Sequence, residues 1–218
     1  MLLSLRYKFL FVHIAKTGGT SVRAALRYYK WTDPYRSPLF LCSRLSALTR
    51  HRLGCKIPRH AKAIAAYEML PRELFDGLFK FAFVRNPWDL QVSSYHHIRR
   101  ERPHLLAGID DFETFLRWKL DPHRKYHYII DTSIEFQSDY VVGLHGNVIL
   151  DYIGRYEQLQ DDFTEVCHRI GIRPRKLPRK RQAKDRAAYQ AYYTDDTAQL
   201  VATYFKRDID MFGYSFEG

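Results

Sequence analysis

Between Lys8 and Ser21 the chain reads KFLFVHIAKTGGTS, and its second half gathers the groups that bind an anionic ester. Lys16 offers a mobile positive charge. Thr17, Thr20 and Ser21 offer hydroxyls, and Gly18 and Gly19 let the backbone come close to a ligand. A helix starting near Ser21 would add unpaired N–H groups and a positive dipole end. Together these suit a phosphate or a sulfate ester. The pattern is not Walker A, where lysine follows the second glycine. Here Lys16 precedes both glycines, so its ammonium would approach from the other end of the loop. The plainer alternative is a strand-to-helix turn without a ligand.

A second polar cluster, Arg85-Asn86-Pro87-Trp88-Asp89, follows the apolar run LFKFAFV. Among the histidines, His60 has the side chain of choice for a proton acceptor near neutral pH; the alternative is a surface histidine in a basic loop. His13 lies inside an apolar run and reads as a hydrogen-bonded core residue. His96 and His97 read as structural, and Trp88 and Trp118 as packing residues.

These groups need elements to hold them. Phe9 to Ile14 is a nearly continuous apolar run, as expected of a strand buried on both faces of a parallel sheet. Leu78 to Val84 repeats that look, and each run leads through a polar turn into a helix: Ser21–Tyr29 after the first, roughly Trp88–Arg100 after the second. Two such units predict a parallel sheet with helices on its faces, and ligands outside the carboxyl ends of its strands. Lys16 and Arg85 both fall at such ends. Further helices are expected over Arg72–Asp76, Asp111–Leu120, Gln158–Ile170 and from Thr194-Asp195 to Phe212, with a short one over Leu39–Leu48 and a third strand over Val148–Ile153. Arg173 to Arg186 carries eight basic residues and one acidic, with Pro174 and Pro178, and reads as a basic loop.

The 218 residues suffice for one sizeable core, and 46% hydrophobic with 27% charged residues describes a globular domain. The net charge of +11 implies anionic partners without choosing among them. Cys42, Cys55 and Cys167 are odd in number and lack C-x-x-C spacing, so neither a disulfide framework nor a zinc site is expected. Arg6 and Lys8 interrupt the apolar N-terminal stretch, which is too short to span a bilayer and lacks a signal-peptide cleavage pattern. The expectation is a cytoplasmic protein with no stable membrane insertion.

Two motifs jointly carry a family resemblance. FVHIAKTGGTS resembles the 5′-phosphosulfate loop of sulfotransferases that use 3′-phosphoadenosine 5′-phosphosulfate (PAPS). FAFVRNPWDLQVSSY resembles their 3′-phosphate motif, an Arg and a Ser eight positions apart, here Arg85 and Ser93. Arg59-His60-Ala61, the segment Tyr152 to Glu157 and the tail from Tyr192 to Glu217 match further pieces in order. The likeness is nearest to the carbohydrate sulfotransferases of the heparan and chondroitin type, in a compact version. Ala15 stands where the family commonly has Pro before the lysine, which leaves the loop entry less pre-set but removes no ligand group.

The resemblance implies a single sulfotransferase domain over residues 1–218, an α/β, three-layer, P-loop-like fold with a central parallel sheet flanked by helices. It implies sulfuryl transfer from PAPS to a hydroxyl, expected to belong to a carbohydrate, leaving adenosine 3′,5′-bisphosphate. Lys16 would act on the leaving group and His60 as base. Thr17, Gly18, Gly19, Thr20 and Ser21 would hold the 5′-phosphate, Arg85 and Ser93 the 3′-phosphate, and Arg155, Lys180 and Arg181 the nucleotide. No metal and no nucleic acid are expected. A P-loop-type nucleotide kinase, and a non-enzymatic polyanion or nucleic-acid binder using Arg173–Arg186, remain as alternatives.

Overall fold

The computed structural model describes residues 1–33, 58–178 and 187–218. The expected helix over Leu39–Leu48 and most of the basic loop, with Lys180 and Arg181, lie outside the described residues. Two compact units emerge. One is built from Met1–Ile14, Gly18–Val84 and Tyr140–Lys180, the other from Ala15–Thr17, Arg85–Asp139 and Arg181–Gly218.

The first unit holds a four-stranded sheet of β1 (Leu2–Ser4), β2 (Phe9–Val12), β3 (Phe79–Val84) and β4 (Tyr152–Arg155), in that order. β1 runs antiparallel to β2, while the β2–β3 and β3–β4 pairs are parallel. The chain is therefore α/β with a mostly parallel sheet flanked by helices. In-register pairing sets Phe11 beside Phe81, with ring centroids 5.1 Å apart. Phe9, Phe11, Phe81 and Phe83 form a ladder packed with Val22, Leu26, Phe163 and Val166 in one buried cluster. The last four come from α1 (Gly19–Ala25) with the residue after it, and from α8 (Leu159–Arg169), which Gly171 ends in a left-handed turn. Each fully buried ring contributes roughly 1.5–3 kcal/mol. Next along this unit come α2 (Arg27–Trp31), α3 (Ala63–Met69) and α4 (Arg72–Asp76).

Two expectations shift. The N-terminal apolar stretch folds into two strands instead of one. The Asp33 carboxylate accepts from the Ser4 hydroxyl and from the N–H groups of Leu5 and Arg6, and Lys8 turns the chain at φ 47°. The third strand lies at Tyr152–Arg155, displaced from Val148–Ile153: Val148 bridges Val142 in a local turn, and Asp151 N–H reaches the Lys80 carbonyl to start the parallel pairing.

The second unit is helical. α5 (Pro87–Glu101) begins at Asn86, whose side chain accepts from Trp88 N–H, with Pro87 in the first turn. α6 (Phe112–Leu120) is capped by Asp111, and α7 (Tyr128–Asp131) follows. The expected C-terminal helix is two helices, α9 (Asp195–Tyr204), opened by a Thr194–Thr197 capping box, and α10 (Lys206–Phe212), closed by Gly213 in the left-handed conformation. Trp88 packs as expected, its indole N–H on the Ala198 carbonyl at 2.9 Å and its ring against Phe216. No helix among the described residues is long and apolar enough to cross a membrane.

Candidate active site

The loop leaving β2 is shaped by two left-handed residues, Lys16 (φ 66°) and Gly18 (φ 78°). A lysine there is under backbone strain that asparagine or glycine would avoid, a condition that clusters at functional sites. The first helical bond runs from Ser21 N–H to the Gly18 carbonyl, so the N–H groups of Gly18, Gly19 and Thr20 precede the helix ladder. Both glycines are required by their surroundings. A Cβ on Gly18 would lie 2.5 Å from Leu159, and one on Gly19 2.0 Å from the His13 ring. The Gly18 contact brings in Tyr156 as well, so the turn that follows Arg155 packs on the loop. Arg155 itself ends β4, its N–H bound to Asp162 at 2.5 Å. Thr17 and Ser21 are buried, and Lys16 and Thr20 are half-exposed.

His60 is tied to the same strand end. Its Nδ1–H donates to the His13 carbonyl at 3.0 Å, three residues before Lys16. A carbonyl only accepts, so Nδ1 carries the proton and the lone pair is on Nε2. Burial holds the His60 pKa below its usual value, partly offset by that bond and deepened by the Arg59 charge. His60 is therefore a neutral imidazole of fixed tautomer near pH 7. His13 is buried as expected, but its Nδ1 has no partner; burial, then the neighbouring His60 and Arg23, push its pKa down to about 2.

In the second unit the Arg85 guanidinium is buried and fully committed in direction. Nε and Nη2 meet Asp89 Oδ2, each at 2.7 Å, and Nη1 donates to the Lys16 carbonyl at 3.0 Å. Gln137 clasps the Arg85 backbone at both ends, accepting its N–H at 2.8 Å and donating to its carbonyl at 2.7 Å. Gln137 and Ser138 in turn give their N–H groups to the two oxygens of Asp208, at 2.7 and 2.9 Å. Burial raises the Asp208 pKa, against those bonds. Ser93 sits one turn beyond Asp89 on α5, on the same face, and is half-exposed.

The structure thus joins Lys16 with Arg85 and places Ser93 on the face that Arg85 grips. It gathers Gly18, Gly19 and the Arg155 turn in the other unit, where His60 also lies. His96 bonds the Tyr192 hydroxyl at 2.9 Å, a packing role. Asn86, Gln137, Asp208 and Lys119 are supporting residues that the motifs did not single out. Two of them carry a signal in the sequence: Asp208 and Lys119 each interrupt the apolar stripe of a helix, Phe205–Ile209–Phe212 and Phe112–Phe115–Leu116. Among the described residues no three His, Cys, Asp or Glu side chains gather as a metal site needs.

A model of the sulfotransferase family matches residues 1–215 of this chain. The chain belongs to the sulfotransferase family. An uncharacterized protein from Archaeoglobus fulgidus is similar to this sulfotransferase, 32% identical over 102 residues that make up 46% of this chain and 74% of that protein. No solved structure matches it. Family membership makes the protein a transferase of sulfuryl groups, with a sulfate donor and a hydroxyl acceptor.

Proposed function

We propose that residues 1–218 act as one P-loop-like sulfotransferase domain that moves a sulfuryl group from PAPS to a hydroxyl of a carbohydrate. The observation that carries this reading is the hydrogen bond from Arg85 Nη1 to the Lys16 carbonyl. It ties the residue of the 3′-phosphate motif to the lysine of the 5′-phosphosulfate loop across 69 positions of sequence.

The acceptor oxygen attacks sulfur in line, the new S–O bond forms, and the bond from sulfur to the bridging oxygen breaks. The electron pair leaves on adenosine 3′,5′-bisphosphate. Positioning and charge stabilisation do most of the work in such a step. Lys16 offsets the charge that grows on the bridging oxygen. The N–H groups of Gly18, Gly19 and Thr20, with the hydroxyls of Thr17, Thr20 and Ser21, hold the 5′-phosphate. Arg85, Ser93 and Arg155, with Lys180 and Arg181, hold the rest of the nucleotide. His60 Nε2 takes the acceptor proton, which its fixed tautomer and neutral charge permit. Lysine and arginine supply the positive charge without a metal.

A sugar acceptor is supported by the stretch between Arg99 and Gln137. Tyr126 and Tyr128 are exposed there, and His123 and Lys125 stand beside them in sequence. Exposed aromatic rings offer an apolar face to the C–H side of a sugar and a hydroxyl to its rim. The unclustered cysteines fit a reducing, cytoplasmic setting.

Thermal melting with adenosine 3′,5′-bisphosphate, with ATP and Mg²⁺, and with a heparin-like polyanion tests this. At about 100 times its dissociation constant the bisphosphate should add about 2.7 kcal/mol. A shift with ATP and none with the bisphosphate favours a kinase and sinks the proposal. Turnover of a sugar acceptor with labelled PAPS should fall roughly 10²-fold in Lys16→Ala; near-normal turnover removes Lys16 from its role.

A further inference from the structure

Lys119 belongs to the buried stripe of α6, between Leu116 and Leu120, and none of its surface reaches water. Its Nζ meets three oxygens, all neutral: Gln91 Oε1 at 2.6 Å, Ser94 Oγ at 2.9 Å and the Ser133 carbonyl at 3.4 Å. Gln91 and Ser94 belong to the turn of α5 that carries Ser93. The hydroxyl chain has one direction. Ser133 Oγ donates to the Ile130 carbonyl, which leaves Ser94 Oγ to donate to Ser133 Oγ at 3.1 Å and to accept from Lys119. Two of these contacts are short, the one to the Ser133 carbonyl is long, and none of the three partners is a carboxylate. A third hydrogen would have the Ser133 carbonyl as its acceptor. The Gln91 amide nitrogen is buried without a partner, so the cluster already holds a surplus of donors.

The charges acting on Lys119 come from three places. Lys16, on the loop, and Arg124, after α6, oppose a further positive charge, and Asp131 of α7 favours one. Asp131 is already shared, with Arg124 at 2.6 Å and with His127 N–H at 2.5 Å. From α5 the amine meets Gln91 and Ser94, and from the segment after α7 it meets Ser133. Burial, then Lys16, hold the Lys119 pKa well below that of an ordinary lysine.

We propose that Lys119 is a positioning residue of the donor site that takes a proton from solvent when the anionic donor settles against Lys16. This rests on the proposed donor site at the Lys16 loop and Ser93. The anion cancels the leading repulsion on Lys119, the third N–H forms toward the Ser133 carbonyl, and the turn of α5 bearing Ser93 is locked against α6.

Isothermal titration with adenosine 3′,5′-bisphosphate at pH 8, in two buffers of different ionisation enthalpy, counts the protons exchanged. Both phosphates of the probe are fully ionised at that pH, so the probe brings no proton of its own. The wild-type chain should take up a sizeable fraction of a proton per ligand bound. Its affinity should fall with rising pH, up to tenfold per unit for a whole proton. Lys119→Met and Lys119→Arg should both bind with no uptake, the first having no amine and the second a permanent charge; if the first does not fold, the second carries the comparison. A purely structural lysine would not change the proton count. Equal uptake in the wild type and a folded variant, or binding without uptake in the wild type, overturns the inference alone. A wild-type chain that binds no bisphosphate overturns the donor reading and the inference with it.

Discussion

Arg85 and Lys119 are both cations removed from water in the same unit, yet their surroundings solve the problem in opposite ways. Arg85 has a carboxylate, Asp89, on two of its nitrogens and a carbonyl on the third. Lys119 has three neutral oxygens and a neighbouring cation. A buried charge is tolerated when it is paired and its remaining hydrogens are satisfied. Arg85 meets that condition with the charge on. Lys119 has no carboxylate partner, and burial with the Lys16 charge holds its pKa well below that of an ordinary lysine. The difference separates a fixed tie from the group proposed to change state: Arg85 bonds the loop that carries Lys16, and Lys119 feels the charge of Lys16.

The largest test of that contrast is to break the Arg85 pair. Asp89→Ala removes the carboxylate that two nitrogens of the buried Arg85 guanidinium share, a loss expected to cost about 3–5 kcal/mol. Urea unfolding should show a lower midpoint at an unchanged slope. A loss below about 1 kcal/mol would mean that Arg85 finds water or another partner, and its role as a tie would fail.

A smaller effect sharpens the point by keeping the charge and removing the fork. Arg85→Lys retains a cation, but one ammonium cannot span Asp89 and the Lys16 carbonyl in the planar arrangement that guanidinium provides. Losing one charge-assisted bond should cost about 1.5–3 kcal/mol. Bisphosphate binding should weaken with it, since the Lys16 loop loses its anchor. Full stability with full binding in this variant would show that charge alone is required.

The same contrast explains what could be read from residue order. The Phe9–Val12 and Phe79–Val84 strands and the turns after them are local: apolar runs, glycines, a proline after Asn86. The loop glycines announced a close approach, although the contacts that demand them, Leu159 on Gly18 and His13 on Gly19, come from folding. The turn that splits the N-terminal stretch into two strands had no local signal, because its acceptor is Asp33, 28 residues beyond Leu5. The Arg85 clasp likewise depends on Gln137 and, behind it, Asp208, 71 residues further on. Asp208 and Lys119 were still visible as charges on apolar helix faces, a pattern that marks a buried polar group without naming its partner. Lys180 and Arg181 fall outside the described residues, and their part rests on the family resemblance.

The smallest effect concerns Lys119 and separates the two cations by sign. Lys119→Met removes the amine and leaves an apolar chain of similar length. Replacing buried ionisable groups by apolar ones is often neutral or stabilising, so stability should hold or rise slightly where Asp89→Ala loses several kcal/mol. The pH dependence carries the sharper reading. In the unfolded chain Lys119 binds its proton up to the ordinary lysine pKa of 10.5, while burial lowers that value in the folded chain. Between the folded and unfolded values the unfolded state binds more protons, so the stability of the wild type rises with pH across that window. Lys119→Met lacks that contribution. Unfolding midpoints measured at pH 7, 8 and 9 should climb more steeply, or fall less, in the wild type than in the variant. Parallel pH profiles would mean that Lys119 keeps its proton in the folded chain, and that the two buried cations differ in their partners but not in their charge.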